Sequence, residues 1–248
     1  VIKIDDTSTI NLTVDESVDF IRGEGGTTVT LTIIREGEDE PLSIDVIRGV
    51  IEIPTISTEK RDDGIFVIEL YGFPATSPYL FRDALREFVE SKSDKLILDL
   101  RNNPGGFMEA AVDMASWFLP AGKVIVRETS RSDKGEEKVY RSKGYDIFNE
   151  NLKFVILINQ GSASASEILA GALSEYNKAT LIGGQSFGKG SVQELIDITE
   201  NTSLKITVAR WLTPNGISIS KNGLTPDIKI EITKEDFEES RDPQLEKA

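Results

Sequence analysis

The spacing of apolar positions along the chain alternates between two periods, and together they predict interleaved strands and helices. Apolar residues three and four apart predict helices at Ser77–Ser91 and Phe107–Phe118, and at Ser164–Tyr176, where small residues dominate. A continuous apolar run at Phe154–Asn159 predicts a buried strand. Further predicted strands are Ile65–Leu70, Lys95–Leu100, Val124–Glu128, the region around Tyr140, Thr180–Ile182, Ser191–Ile198 and Leu204–Arg210. Because strands and helices alternate from about residue 49, we expect an α/β core.

Residues 1–48 are predicted to form a separate small unit, with residues 49–248 as the main domain. Thr13 is a favourable helix N-cap and Glu16 follows three residues later, as in a capping box, so a short helix should begin here. The acidic tail at 234–248 is predicted to be loose or a short helix. Strands of the small unit are expected at Val1–Ile4, Thr27–Arg35 and Leu42–Ile47.

Composition narrows the chemistry that this chain can perform. The net charge of −14 disfavours binding to nucleic-acid phosphates, which requires clustered Lys and Arg. The chain has no Cys, which excludes disulfides, thiol nucleophiles and Cys-based zinc sites. It also has no His, which excludes the Ser–His–Asp relay and His-containing metal sites. A hydrolytic reaction by this chain alone would need Lys, Asp, Glu or Tyr as its base.

Neither a membrane span nor a signal peptide is predicted. No apolar run reaches 18 residues. The N-terminus has neither the basic region nor the cleavage-site pattern of a signal peptide. Its first residues have the pattern expected in the middle of a strand. We therefore expect that the chain begins partway through a domain.

A junction between an apolar strand and a small-residue helix is the first candidate for chemistry. Residues 159–167 have the sequence NQGSASASE. Such a junction holds a side chain rigidly, and the first N–H groups of the following helix lack partners and can face an oxyanion. The segment is therefore a candidate for a nucleophilic serine. The alternative is a close-packed helix start at which serine serves only as a cap.

A lysine between two glycines is the second candidate. Residues 185–193 have the sequence QSFGKGSVQ, and the glycines allow close approach of the backbone around Lys189. A lysine that loses water in such a place becomes a neutral amine more readily and can accept a proton. The alternative is an exposed loop lysine. A phosphate-binding loop is a weaker alternative, because the Gly-x-x-x-x-Gly-Lys-Ser/Thr spacing is not met.

A glycine turn after a buried strand is the third candidate. The sequence RNNPGG at 101–106 follows the predicted strand Lys95–Leu100 and precedes a helix. Backbone N–H groups of Gly105 or Gly106 could form half of an oxyanion hole. A simple turn that needs glycine for its left-handed conformation explains the sequence equally well.

Taken together, GSASASEI from Gly161 and FGKGSVQ from Phe187 resemble the C-terminal processing peptidases, also called tail-specific proteases. Lys189 follows Ser164 by 25 residues, which is the spacing of nucleophile and base in that family. The resemblance covers nearly the whole chain. Further matching segments are LDLRNNPGG at 98–106, TPNG at 213–216, GLTPD at 223–227 and DPQL at 242–245.

The resemblance implies a crotonase/ClpP-like catalytic core over residues 49–248 and a serine peptidase that uses a Ser–Lys dyad. Ser164 is then the nucleophile, Lys189 the general base, and Gln193 the residue that orients the lysine. The absence of His is expected for such a dyad.

The same resemblance implies an oxyanion hole formed by the N–H of Ala165 and one from Gly105 or Gly106, with the choice between the two glycines left open. Some members of the family have an acidic residue eleven positions after the nucleophile that has been linked to activity. Here it is Glu175, for which we expect a structural role.

Residues 1–48 resemble the second half of a PDZ domain, which in this family binds the substrate's C-terminus as an added strand. The carboxylate-capturing loop and its preceding strand would lie upstream of Val1, so we expect only a partial PDZ-like module. The resemblance further implies protein or peptide substrates with apolar C-termini, no cofactor, and residence outside the cytoplasm. It gives no oligomeric state.

Two other functions remain open at this point. A related crotonase-like core could catalyse a different acyl transfer, which would need a pocket for coenzyme A or a small acyl group. No feature of the sequence indicates such a pocket. Alternatively, the PDZ-like and core domains could bind peptide without catalysis. The presence of Ser164, Lys189 and Gln193 argues against this silent scaffold.

Overall fold

The computed structural model describes residues 1–50, 54–130, 137–199 and 202–248. The chain divides into two compact units, Val1–Ile53 and Pro54–Ala248. The polar run at 130–138, which joins the strands predicted at Val124–Glu128 and around Tyr140, falls largely outside the described residues. Across the described ranges, no helix is both long and apolar enough to cross a membrane.

The first unit is a four-stranded antiparallel sheet with one helix. The capping box is confirmed: the Glu16 N–H donates to Thr13 Oγ1 at 3.2 Å, and the Thr13 N–H donates to Glu16 Oε2 at 2.8 Å. The sheet order is β2-β1-β3-β4. Its relation to a PDZ domain stays a prediction. The elements are β1 (Lys3–Ile4), β2 (Thr7–Ser8), α1 (Val14–Ile21), β3 (Thr28–Ile33) and β4 (Leu42–Ile47).

The second unit alternates strands and helices, as the apolar pattern predicts. Most predicted strands and helices occur, with ends shifted by one to three residues. Its elements are β5 (Ile56–Lys60), β6 (Phe66–Leu70), α2 (Ser77–Glu90), β7 (Lys95–Asp99), α3 (Met108–Ala115), β8 (Val124–Ser130), β9 (Glu137–Arg141), β10 (Lys153–Ile158), α4 (Ala165–Glu175), β11 (Thr180–Gly183), β12 (Ser191–Thr199), β13 (Thr202–Leu212), β14 (Ile228–Lys229), α5 (Lys234–Glu238) and α6 (Pro243–Lys247).

A six-stranded sheet of order β14-β11-β10-β7-β6-β5 organises this unit. Its strands are parallel except β5, which pairs antiparallel with β6. One face packs against α2, α3 and α4 in a large apolar core. The central strands are apolar on both faces and buried, as expected for parallel strands covered by other elements.

Parallel strands end at the same edge of a sheet, and this brings two candidate turns together. The turn at 101–106 follows β7, and the turn at 159–164 follows the neighbouring β10. The Leu100 N–H donates to Leu157 O at 3.0 Å, extending the pairing beyond the end of β7. A second sheet of order β12-β13-β8-β9 carries Gln193 on its edge strand β12.

One element end differs from the sequence prediction. The helix predicted at Ser77–Ser91, with Ser77 as its N-cap, has its N-cap at Thr76 instead, and Ser77 is the first helical residue. The Ser77 hydroxyl is used elsewhere: it donates to Pro74 O at 2.7 Å. The tail forms two short helices, capped by Thr233 and Asp242.

Candidate active site

The three serines of the turn before α4 have different surroundings. Ser162 is fully buried, and its hydroxyl donates to Leu100 O at 2.7 Å and accepts from the Asn159 N–H at 2.9 Å. Ser166 is also fully buried and donates to Asn103 O at 3.0 Å. Ser164 is only half-buried, and its hydroxyl donates to no acceptor in the described part of the chain. Two of the serines are therefore structural, and one is available for chemistry.

The backbone of Ser164 is strained. Its φ of 58° and ψ of −114° are close to those of the first central residue of a type II′ turn, a position usually held by glycine. A non-glycine residue in such a conformation costs on the order of 1–3 kcal/mol, and strain of this kind clusters at functional sites. The conformation turns the chain sharply from β10 into α4, with Ser164 at the N-cap.

Gly105 packs directly against the serine. A Cβ atom built on Gly105 would lie 2.8 Å from Ser164 Cβ and 2.9 Å from Ala165 N, so only glycine fits here. The φ of Gly105, 94°, also favours glycine. The predicted neighbourhood of the glycine turn and the serine turn is therefore present in the structure.

Gly105 and Gly106 differ in whether their N–H groups are hydrogen-bonded. The Gly105 N–H already donates to Asn103 Oδ1 at 2.9 Å. The N–H of Gly106 and the N–H of Ala165 donate to no acceptor in the described residues. Gly106 is exposed, whereas Gly105 is buried. The geometry therefore favours Gly106 over Gly105 as the partner of Ala165 in an oxyanion hole.

Asn103 fixes the glycine turn to its neighbours. Its side chain is fully buried, and its amide donates to Leu70 O at 2.6 Å while its Oδ1 holds Gly105. Its backbone carbonyl accepts from the Ala163 N–H at 3.0 Å and from the Ser166 hydroxyl. One buried amide therefore sets the position of the turn relative to the serine.

Arg101 anchors the same turn from its other side. The guanidinium makes three hydrogen bonds to the Asp99 carboxylate, the shortest at 2.6 Å, and an ion pair with Asp242 at 2.8 Å. Burial alone would lower the pKa of Arg101, but its bonds to Asp99 and Asp242 outweigh burial and raise the pKa. The segment DPQL, which contributed to the family resemblance, thus supports the glycine turn.

Glu167 joins the serine turn to the lysine loop. Its carboxylate is 1% exposed. Oε2 accepts from the N–H groups of both Ser164 and Lys189, each at 2.9 Å, so the two backbone nitrogens lie no more than twice that distance apart. Oε1 accepts from the Ser186 hydroxyl at 2.5 Å and from the Gly188 N–H at 2.7 Å. One buried carboxylate therefore receives four hydrogen bonds.

Sequence reasoning gave Glu167 no role. The spacing Ser164-x-x-Glu167 is that of a capping box, and this signal predicts the bond between the carboxylate and the Ser164 N–H. The bonds to the lysine loop span about twenty residues and need the fold. Glu175, eleven residues after Ser164, accepts from the Asn215 N–H at 2.8 Å, in agreement with the structural role expected for it.

The side chains of Lys189 and Gln193 are not part of this network. Both residues are exposed, and the Lys189 amine makes no hydrogen bond or ion pair with the described residues. No hydrogen bond links Lys189 to Ser164 Oγ or to Gln193 in the described chain. The backbone of the loop packs closely against its neighbours. A Cβ atom on Gly188 would lie only 2.8 Å from the Lys221 carbonyl carbon, so there is no room for a side chain at this position. The structure places the backbone of Lys189 beside that of Ser164, while the Lys189 amine lies outside the hydrogen-bond network of the site.

For the peptide cleavage that the family resemblance implies, Glu167→Gln should lower kcat by roughly 10- to 100-fold with little change in KM. The replacement keeps the shape but turns one acceptor oxygen into an NH2 group that faces two donors, which costs about 1–3 kcal/mol of stability and loosens the lysine loop. Glu175→Gln is the matched control, because Glu175 lies on the same helix and holds the Asn215 turn. Equal loss of kcat in both variants, at matched folded fraction, would contradict a positioning role for Glu167.

Comparison with known proteins identifies relatives of the chain. The sequence profile of peptidase family S41 matches residues 49–230. A carboxy-terminal-processing protease of Bartonella bacilliformis is 40% identical over 234 residues, which are 92% of this chain and 53% of that protein. The carboxy-terminal processing protease CtpA of Bacillus subtilis is 35% identical over 232 residues, which are 94% of this chain and 49% of that protein. The chain spans about half the length of these curated relatives.

A solved structure agrees with these matches. The photosystem II D1 C-terminal processing protease superposes with a TM-score of 0.70 at 26% sequence identity. The match covers 92% of this chain and 62% of that one. The mixed α/β arrangement described above is therefore one that a related processing protease shares.

Proposed function

The chain belongs to peptidase family S41, and on this basis we propose that it is a serine endopeptidase that works through a Ser–Lys dyad. Ser164 is the nucleophile and Lys189 the general base. The observation that carries the proposal is the contrast among the three serines of one turn. Ser162 and Ser166 are buried and bonded, whereas Ser164 combines a strained backbone with an unengaged hydroxyl proton.

In the proposed acylation, the neutral amine of Lys189 takes the hydroxyl proton as Ser164 Oγ bonds to the scissile carbonyl carbon. The carbonyl oxygen becomes an oxyanion and accepts hydrogen bonds from the N–H groups of Ala165 and Gly106. When the C–N bond breaks, the Lys189 ammonium gives its proton to the departing amine. Water then cleaves the acyl ester on Ser164, with Lys189 again acting as base.

The mechanism requires the lysine side chain to turn inward. The Lys189 and Ser164 backbone nitrogens share one carboxylate oxygen, and a lysine side chain reaches about 6 Å from its Cα. This reach is long enough to span the separation of the two backbone nitrogens, which supports an approach of the amine to the Ser164 hydroxyl when the side chain turns. Gln193, which follows on β12, would orient the amine once it has turned. The exposed amine then corresponds to a resting arrangement.

The proposed substrates are proteins or peptides with apolar C-termini, cleaved near that end. The support is the resemblance to C-terminal processing peptidases and the relatives that carry this description. An extracytoplasmic location of the protein is proposed on the same resemblance. The reaction as written uses only side chains, backbone N–H groups and water, so it needs no cofactor.

A fluorophosphonate probe tests this function, because it phosphonylates only activated serines. We expect an adduct on Ser164, mapped by mass spectrometry, and loss of the ability to degrade an unfolded protein with an apolar C-terminus. The loss should follow the labelled fraction. Degradation that continues at full rate after Ser164 is fully labelled would refute the proposal.

A further inference from the structure

We infer that a groove between α2 and α3 binds a large apolar or aromatic side chain of the substrate beside the scissile bond, an inference that rests on the proposed function. The groove has a volume of about 600 Å³. We call it the aromatic groove and define it by Tyr79, Arg82, Phe107, Asp113, Trp117 and Tyr145.

Both walls of the aromatic groove start at the glycine turn. The Phe73 N–H donates to Gly105 O at 2.9 Å, and the Phe107 N–H donates to Phe73 O at 2.8 Å. The chain continues from Phe73 into the α2 wall and from Phe107 into the α3 wall. The groove therefore opens one residue away from Gly106, whose free N–H is the proposed oxyanion donor. We therefore expect a peptide bound at Ser164 to run close to this opening.

Two aromatic side chains on the walls of the groove are largely exposed. Tyr79 is 65% exposed and Phe107 57% exposed. Deeper in the groove, the rings of Trp117 and Tyr145 lie 4.5 Å apart between centroids. Aromatic side chains of a ligand gain both area burial and ring contacts on such walls. This surface favours an apolar or aromatic occupant.

The basic residues at the aromatic groove are already paired. Lys143, on the rim, forms an ion pair with Asp113, and the Tyr145 hydroxyl donates to the same carboxylate at 3.0 Å. Arg82 pairs with Asp83 at 3.2 Å. Glu109 also lines the groove and is exposed, with no ion pair to another described residue. Because neither basic residue is left without a carboxylate partner, the groove offers little gain to an acidic side chain.

The size of the groove fits an extended peptide segment. Ligand sites of proteins have volumes of about 300–1,000 Å³, so the aromatic groove has room for a large side chain and for part of the neighbouring residues. Because the aromatic walls favour an apolar group, we expect one preferred position in the substrate, where a side chain such as Phe, Tyr or Leu enters the groove. Neighbouring positions should remain open to many residues.

Photo-crosslinking tests occupancy independently of catalysis. The full chain with Ser164→Ala is mixed with peptides in which p-benzoylphenylalanine replaces one residue at successive positions. We expect crosslinks at one position to map to Phe107, Tyr79 or Trp117. Crosslinks confined to other parts of the chain at every position would overturn the inference.

Cleavage profiling tests the consequence for specificity. With a peptide library and active protein, Phe107→Ala and Tyr79→Ala should each lower kcat/KM at least about 10-fold for substrates with the preferred aromatic residue. Substrates with alanine there should change less than about twofold. Phe237→Ala is the matched control, because Phe237 is 82% exposed on α5 and outside the groove.

The two experiments separate the inference from the function on which it rests. Crosslinks in the groove without Ser164-dependent cleavage would support the groove and refute the proposed peptidase. Ser164-dependent cleavage with an unchanged profile in Phe107→Ala and Tyr79→Ala would refute the groove and keep the peptidase.

Discussion

Ser164→Ala is expected to reduce peptide-bond cleavage by a factor of at least about 10³ in kcat/KM while the protein remains folded. The loss follows because no other hydroxyl in the turn can replace it. The flanking hydroxyls of Ser162 and Ser166 point into the protein and are held by the carbonyls of Leu100 and Asn103. The measurement is degradation of an unfolded protein, with unfolding followed by circular dichroism.

Stability should change little in Ser164→Ala because its hydroxyl donates to no acceptor in the described chain. Alanine and serine also carry the same kind of backbone strain at a φ of 58°. The fold therefore loses neither a donated hydrogen bond nor a packed group. A variant that loses activity only because it unfolds would not support the assignment, so the folded fraction has to be measured in the same buffer.

Ser162→Ala and Ser166→Ala are the matched controls. Each removes one of two donors to a buried carbonyl, because the Asn103 N–H also donates to Leu100 O and the Ala163 N–H to Asn103 O. Ser162→Ala also leaves the Asn159 N–H without its acceptor. We expect both variants to lose about 0.5–1.5 kcal/mol of unfolding free energy but to keep most of their activity when folded. The nucleophile would have to be reassigned if either control lost activity as completely as Ser164→Ala.

The apolar pattern predicted the central strands and helices well because a parallel sheet is buried on both faces. Lys95–Leu100 and Phe154–Asn159 read as strands from their continuous apolar runs, and both occur within one residue of their predicted ends. The pattern missed β5 and β14. The former, ISTEK, has one face exposed, and the latter is two residues long, so neither carries a strong apolar signal.

The parts of the candidate site that depend on nearby residues could be predicted from the sequence, whereas the contacts between distant segments could not. Motif spacing pointed to Ser164, and the strand order explains why the glycine turn lies beside it. The sequence left Gly105 and Gly106 equivalent, since the Asn103 side chain that occupies the Gly105 N–H folds back within the turn. Three of the four hydrogen bonds of the Glu167 carboxylate could not be predicted from the sequence, because they depend on how the lysine loop packs against α4.

Lys189→Arg is expected to lower kcat by about 10²- to 10⁴-fold, the range that a general base contributes. Arginine keeps the positive charge and a similar length but does not lose its proton, so it cannot accept one from Ser164. The measurement is the rate at which each variant degrades the same unfolded protein.

Lys221→Arg is the matched control for the lysine substitution. Lys221 lies in the turn that contacts the lysine loop, where its N–H donates to Gly188 O at 3.0 Å, and its side chain is exposed. A general effect of arginine on this surface would appear in both variants, whereas loss of the base appears only in Lys189→Arg. If Lys189→Arg keeps more than about a tenth of the activity, another group takes the proton. The nearest carboxylate, Glu167, already accepts four hydrogen bonds and would have to give some of them up to do so.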